Sequence, residues 1–132
     1  MIMFSFKRNM GSAMFVFCGL VLSATHIHAV DLGNGWGPNA LEVAKLPDYC
    51  QKFFREKVLP PNCDGVHHLC AGKVLINRAS DFSIPKAERQ RILRMAKGEV
   101  GYIFTRKNPY CATMPEARAA ESQIRTLEMM LR

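Results

Sequence analysis

The sequence lacks the short motifs by which many catalytic and redox sites are recognised. It has no C-x-x-C redox pair, no C-x-x-C-H haem attachment sequence, no glycine-rich phosphate loop and no nucleophile elbow. It also lacks an apolar run of the roughly 20 residues that a membrane-spanning helix needs. These absences argue against an enzyme and against a permanent membrane anchor.

The apolar run over residues 13–24 is instead predicted to be the core of a secretory signal peptide. It follows Lys7 and Arg8 and precedes the sequence T-H-I-H-A, which is the three-part layout of such a segment. We expect cleavage after Ala29, so that residues 1–29 form the signal peptide. The mature protein is therefore predicted to be periplasmic or secreted, with no membrane span after cleavage.

The mature chain is predicted to be basic. Without Lys7 and Arg8, 16 of the 18 basic residues remain against 11 acidic ones, which gives a net charge near +5. Such a surplus favours contact with acidic surfaces, whether of proteins, lipid head groups or envelope polymers. Nucleic acid is not expected as a partner, because an exported chain would rarely meet it.

Residues 63–80 are predicted to form the central helix of an all-helical domain. Their apolar side chains fall on two sides of a helical wheel, so this helix needs neighbours on both flanks. Asp64 is expected to cap its start. A first helix is expected between Pro47 and Pro60, because proline suits the first turn of a helix and stops a helix that meets it later.

A third helix is predicted from near Pro85 to Asn108, where the apolar positions share one face. Gly98 and Gly101 each cost this helix up to about 1 kcal/mol relative to alanine. We therefore expect them to permit close approach of a neighbouring helix.

The fourth helix is predicted to begin with a capping box at Thr113, with the Glu116 side chain reaching back to the cap. Its apolar stripe continues to Leu131 and needs a partner. We predict a homodimer across this stripe, which consists of Ala117, Ala120, Ile124, Leu127 and Leu131.

The patterns together predict a single all-α domain over residues 46–132. It contains about four helices in antiparallel hairpins and is stabilised by disulfides. Residues 30–45 are predicted to be an extended leader, because the leader begins with the glycine-rich and polar series V-D-L-G-N-G-W-G-P-N. The series A-L-E-V-A-K-L before Pro47 is the alternative site of a separate short turn. Trp36, the one large apolar group of the leader, is expected to fold back over the end of the bundle.

Four cysteines remain after removal of the signal peptide, and an even number in an exported chain implies disulfides, with three possible arrangements. Cys50 and Cys70 are each ten residues from Pro60 at the turn, so an antiparallel hairpin brings them together. Cys63 and Cys111 then fall at the same end of the second hairpin. We predict the pairs Cys50–Cys70 and Cys63–Cys111, each of which would add roughly 2–4 kcal/mol of stability.

Four segments carry a family resemblance: L-P-D-Y-C, H-H-L-C-A-G-K-V-L-I-N-R-A, G-E-V-G-Y-I-F-T-R-K-N-P and M-P-E-A-R-A-A-E. They resemble small exported bacterial proteins of the tetratricopeptide-repeat type, and the resemblance covers roughly residues 46–130. Fewer than two complete helix pairs fit after Cys63, whereas about three repeats usually make a stable array. The resemblance therefore implies a repeat-like pair of helical hairpins rather than an extended concave surface.

Two groups of residues are candidates for a functional site. Adjacent histidines on a helix point about 100° apart, which is unfavourable for joint chelation, but imidazole and thiolate are zinc and copper ligands. His67, His68 and Cys70 are therefore the alternative metal site. The predicted site for an acidic partner is the basic set on and after the third helix: Arg89, Arg91, Arg94, Lys97, Arg106 and Lys107.

The predicted function is that of a non-catalytic exported scaffold that binds another protein of the bacterial envelope and carries no cofactor. A cysteine nucleophile beside His67 or His68 would need a free thiolate, and cysteines in an oxidising compartment tend to be paired. The alternative is a periplasmic protein that responds to metal or redox state through His67, His68 and Cys70.

Overall fold

The computed structural model describes residues 37–106 and 108–132, and this part of the chain is all-α. It contains five helices and no strand in those residues. No helix in the described ranges is long and apolar enough to cross a bilayer. The predicted signal peptide over residues 1–29 and Trp36 lie outside the described residues. The helices are α1 (Ala40–Ala44), α2 (Asp48–Glu56), α3 (Val66–Ala79), α4 (Lys86–Phe104) and α5 (Met114–Met130).

The prediction of an extended leader over residues 30–45 was wrong for its last part, because α1 lies within it and raises the number of helices above four. The start of α1 is fixed by a capping box. The Asn39 Oδ1 atom accepts a hydrogen bond from the Glu42 backbone N–H at 3.0 Å, and the Glu42 carboxylate accepts one from the Asn39 N–H at 2.8 Å. Val43 is buried, so this short helix belongs to the folded domain.

Helix α3 lies at the centre of the fold, as its two apolar sides predicted. Leu69, Leu75 and Ile76 point into the larger core with α4 and α5, whereas Cys70 and Val74 point into a smaller core with α1 and α2. Its buried residues are Val66, Leu69, Cys70, Ala71, Gly72, Val74, Leu75, Ile76 and Ala79.

Consecutive long helices run antiparallel. At one end of the α3 and α4 pair, Asp64 and Asn108 exchange two hydrogen bonds of 3.1 and 2.8 Å, and further along, Gly72 faces Val100. Between α4 and α5, the Lys97 Nζ atom lies 2.9 Å from a Glu128 carboxylate oxygen.

Gly72, rather than Gly98 or Gly101, is the glycine at a close helix contact. A Cβ atom at position 72 would lie 2.5 Å from a Val100 methyl carbon and 3.2 Å from the Val100 backbone nitrogen. At positions 98 and 101 it would meet no atom within 4 Å among the described residues. The prediction for the α4 glycines was therefore wrong, because the glycine that permits the contact lies on α3.

Two disulfides join the elements, and they are the same pairs that the hairpin argument predicted. Cys50 is bonded to Cys70 with a Cα–Cα distance of 5.4 Å, and Cys63 is bonded to Cys111 with a Cα–Cα distance of 4.8 Å. The first bond lies in the smaller core and the second in the larger one. Intramolecular disulfides of this kind fit an oxidising, exported environment.

Both predicted helix caps differ from the structure. Helix α3 follows Gly65, whose φ of 82° is in the left-handed region, and no Asp64 side-chain cap is formed. At α5, the Thr113 side chain makes no capping hydrogen bond. It is buried, with its hydroxyl 3.1 Å from the Cys111 sulfur, while the Glu116 carboxylate contacts Tyr49 and Lys73. The Glu116 carboxylate is therefore held by two other helices, and the Thr113 hydroxyl lies against the sulfur of a neighbour in its own loop.

The apolar stripe of α5 is not a free surface. Its members lie in the larger core with α3 and α4, and each is buried within the single chain. The homodimer predicted across this stripe therefore does not fit the structure, because these side chains are already covered. The members are Ala117, Ala120, Ile124, Leu127 and Leu131.

An ion pair holds α1 to α3. The Arg78 guanidinium donates to the Glu42 carboxylate at 2.5 and 2.8 Å and to the Gly37 carbonyl oxygen at 3.1 Å. The hydrogen bond from Arg78 is the largest influence on Glu42, and it lowers the pKa of that carboxyl below its ordinary value of 4.5.

We expect the Glu42→Gln variant to lose about 1–2 kcal/mol of stability at pH 7, because hydrogen bonds to charged groups are stronger than neutral ones. The lowered pKa of Glu42 stabilises the fold above pH 4.5, and this contribution is lost as the pH falls through the folded pKa. The wild type and the variant should therefore converge in acid. Urea unfolding between pH 7 and pH 3 measures this, and a difference that stays constant with pH would contradict it.

Candidate functional site

The predicted basic site does not form a single face. At 3.6 residues per turn, its members on α4 point to several sides of the helix. The Arg89 guanidinium lies 4.7 Å from the centre of the Phe82 ring, and Arg91 donates to Glu88 at 2.6 and 2.9 Å. These two arginines therefore have partners within their own segment of the chain.

The remaining basic residues are also separated. Arg94 and Lys97 line a cleft of about 430 Å³ between α4 and the end of α5, where Lys97 is paired with Glu128. Arg106 lies over the Tyr102 ring at the far end of α4 and bonds its hydroxyl. Lys107 lies outside the described residues. Of the predicted set, Arg94 and Lys97 share a cleft.

The alternative metal site is not assembled either. Cys70 is fully buried and bonded to Cys50, so it has no thiolate to offer. Within residues 37–106 and 108–132, no group of three or more His, Cys, Asp or Glu side chains is arranged to hold a metal ion.

The two histidines pack in a row of rings that joins three helices. The His68 ring lies 4.3 Å from the His67 ring and 3.9 Å from the Tyr102 ring, and the Phe53 ring lies 6.0 Å beyond His67. His68 Nδ1 is 2.7 Å from a Glu99 carboxylate oxygen. Burial, followed by the neighbouring His68, lowers the pKa of His67. This arrangement is that of a packed histidine pair.

An open groove with a largely apolar lining lies between α2 and the segment that follows it. Helix α2 ends at Glu56 because Lys57 adopts a left-handed conformation with a φ of 59°. The chain then passes beside α2 and leaves a groove of about 480 Å³. We name it the Leu59 groove, and it is lined by Asp48, Tyr49, Lys52, Val58, Leu59, Pro60 and Pro61.

The walls of the Leu59 groove are held in place from both sides. The Tyr49 hydroxyl donates to a Glu116 carboxylate oxygen at 2.8 Å, and Lys73 lies 3.2 Å from the same oxygen. Burial, followed by the bond to Glu116, raises the pKa of Tyr49, so the phenol stays a donor at physiological pH. On the other wall, Leu59 and Pro60 each precede a proline, which restricts them to extended conformations.

The lining of the groove suits a peptide-like ligand. Val58 is 52% exposed and Leu59 is 41% exposed, so apolar area remains available for burial against a partner. Lys52 adds one exposed ammonium group at the same place. In the sequence, Pro60 and Pro61 predict only the end of a helix. The signal that would have found this site is the unbroken series V-L-P-P, in which two apolar residues have no helix to bury them.

The fold and the two disulfides define the chain as a small disulfide-stabilised all-α protein. No family model matches the chain, and no curated protein or solved structure matches it either. The resemblance to tetratricopeptide-repeat proteins therefore remains a prediction.

Proposed function

We propose that the protein is an exported, non-catalytic helical scaffold that binds another protein in the bacterial envelope through the Leu59 groove. The observation that carries this proposal is the exposed apolar area of Val58 and Leu59 beside a groove with fixed walls. Binding sites are commonly concave and mostly apolar, with a few polar groups placed beside the apolar lining.

The wider architecture supports the same proposal. Two disulfides fit an oxidising compartment such as the periplasm, where they would keep the groove walls in register. The antiparallel helices are compatible with the repeat-like hairpins that the resemblance implies, and proteins of that type act by presenting surfaces to other proteins. The basic net charge favours an acidic partner.

The test is site-specific photo-crosslinking of the exported chain in the cell that produces it. A photoreactive phenylalanine analogue in place of Leu59 should give a discrete covalent adduct with one envelope protein. The matched control carries the same analogue in place of Phe82, which is 74% exposed and follows the C-terminal end of α3, whereas the groove segment precedes the N-terminal end of that helix. Absence of an adduct at Leu59, or the same adducts from both positions, would count against the proposal.

The alternative is a protein that responds to metal or redox state, and this function requires a free thiolate at Cys70. The thiolate of Cys70 becomes available only when its bond to Cys50 is reduced. Metal analysis of protein purified without chelator and a count of free thiols separate the two functions. Stoichiometric metal together with free cysteines would favour the alternative.

A further inference from the structure

We infer that the Leu59 groove binds an extended segment of the partner that pairs its main chain with Val58 or Leu59, places an apolar side chain in the groove and sets an acidic residue beside Lys52. This inference rests on the proposed function, since it names the chemistry of the partner at the same site. Three independent features of the segment after α2 carry it.

The first feature is the unpaired main chain of Val58 and Leu59. Within residues 37–106 and 108–132, neither residue donates or accepts a hydrogen bond through its backbone. Pro60 and Pro61 have no N–H group, so the donors of this segment are confined to Val58 and Leu59. A short extended segment with free N–H and C=O groups is a template for an added strand.

The second feature is the apolar lining next to that free main chain. An extended peptide that pairs with one residue of the segment points alternate side chains to opposite sides, so one of its side chains faces the groove. The groove volume of about 480 Å³ accommodates a large aliphatic or aromatic side chain. Burial of such a side chain against Val58, Leu59 and Tyr49 supplies the apolar contribution to binding.

The third feature is charge. Lys52 lines the groove, is exposed and forms no ion pair in the described part of the chain. Arg55, one turn further along α2, is likewise exposed and without an ion pair among those residues. Asp48, one turn before Lys52, also lines the groove, so an aspartate or glutamate of the partner would be drawn towards Lys52 and Arg55 and away from Asp48. This asymmetry of charge would also help to select the direction of the peptide.

The probe is a displayed library of random seven-residue peptides, selected against residues 30–132 with both disulfides formed. We expect the selected peptides to contain a large apolar residue next to aspartate or glutamate. A synthetic copy of the most enriched peptide should bind the Lys52→Glu variant at least tenfold more weakly than wild type. The matched control is Arg94→Glu, an equal charge change at an exposed residue of α4, which should change the affinity less than twofold.

Hydrogen exchange of backbone amides tests the main-chain pairing directly. In the free protein the Val58 and Leu59 amides should exchange rapidly, because neither is hydrogen-bonded. Bound peptide should slow the exchange of at least one of them tenfold or more. Peptides that leave both amides unprotected, or that bind the Lys52→Glu variant and the wild type equally, would overturn the inference.

One further outcome concerns the chain itself. If the two amides are already protected in residues 30–132 and become labile in residues 37–132, the segment with Trp36 occupies the groove, and the inference of a partner segment is wrong. These results are separable from the proposed function. An envelope protein crosslinked at Leu59 would still support a scaffold even if its contact with the groove used no extended segment.

Discussion

Replacing both Cys63 and Cys111 with alanine should lower the free energy of unfolding by about 4 kcal/mol. The bond spans 48 residues of sequence, and its loss frees a long loop in the unfolded chain, which is worth about this much in the chain-entropy account of disulfides. Both cysteines are buried in the larger core, so truncation to alanine also removes packing. Since small domains have only about 5–15 kcal/mol in total, the variant should be marginally stable.

The variant without the Cys50–Cys70 bond is the comparison. That bond spans 20 residues, for which the same account gives about 3 kcal/mol. Its loss should act mainly on the smaller core, where α1 and α2 meet α3. We therefore expect limited proteolysis of this variant to cleave within α2 before it cleaves α3, α4 or α5.

Guanidinium unfolding without reductant measures both variants. The Cys63–Cys111 variant should lose more free energy of unfolding than the Cys50–Cys70 variant. An equal or larger loss for the Cys50–Cys70 variant would contradict this and would show that the smaller core depends on its disulfide more than the loop length implies. Loss of less than 1 kcal/mol from the Cys63–Cys111 variant would mean that the unfolded chain is already compact around that loop.

The features that the sequence predicted well are those that depend on periodicity and on a short turn. The two apolar sides of α3 correspond to two separate cores. Cys50 and Cys70 face each other because they lie at comparable distances from the connection over residues 57–65 that joins α2 to α3. Such patterns are visible in sequence because the partner segments are close in the chain.

The features that the sequence did not predict depend on which partner a polar side chain binds when several are within reach. Glu116 had the right spacing for a capping box, but Tyr49 and Lys73 from other helices took its carboxylate. Asn39 and Glu42 form such a box at the start of α1, within residues that were predicted to be an extended leader. A capping pattern in the sequence shows that a capping box can form, and the contacts of its side chains with the rest of the fold decide whether it does.

The candidate site was missed for a related reason. The basic residues were grouped by their number along α4, although a helix distributes neighbouring residues around its axis. The Leu59 groove arises from a change of direction at Lys57, whose left-handed conformation is uncommon for a residue other than glycine. The series V-L-P-P indicates that the helix must end, but no pattern predicts the left-handed turn at Lys57. Without that turn, Val58 and Leu59 would not lie beside α2.

The Gly72→Ala variant should be destabilised by about 1–3 kcal/mol, although alanine is the better helix former. The added Cβ atom would lie 2.5 Å from a Val100 methyl carbon and 3.2 Å from the Val100 backbone nitrogen. A side chain can rotate away, but the backbone of α4 can yield only if the two helices separate. Overpacking of this kind typically costs 1–3 kcal/mol, which exceeds the gain of up to about 1 kcal/mol from helix propensity.

Gly98→Ala is the matched control for this prediction, because it makes the same chemical change on the neighbouring helix. A Cβ atom at position 98 would have no neighbour within 4 Å among the described residues, so this variant should gain up to about 1 kcal/mol. The two substitutions should therefore shift the unfolding midpoint in urea in opposite directions.

Adding Val100→Ala to Gly72→Ala removes the clashing methyl group, and the pair should show a favourable coupling energy of about 1 kcal/mol in a double-mutant cycle. If Gly72→Ala stabilised the protein as much as Gly98→Ala, this would contradict the close approach of α3 to α4 at Gly72 and Val100.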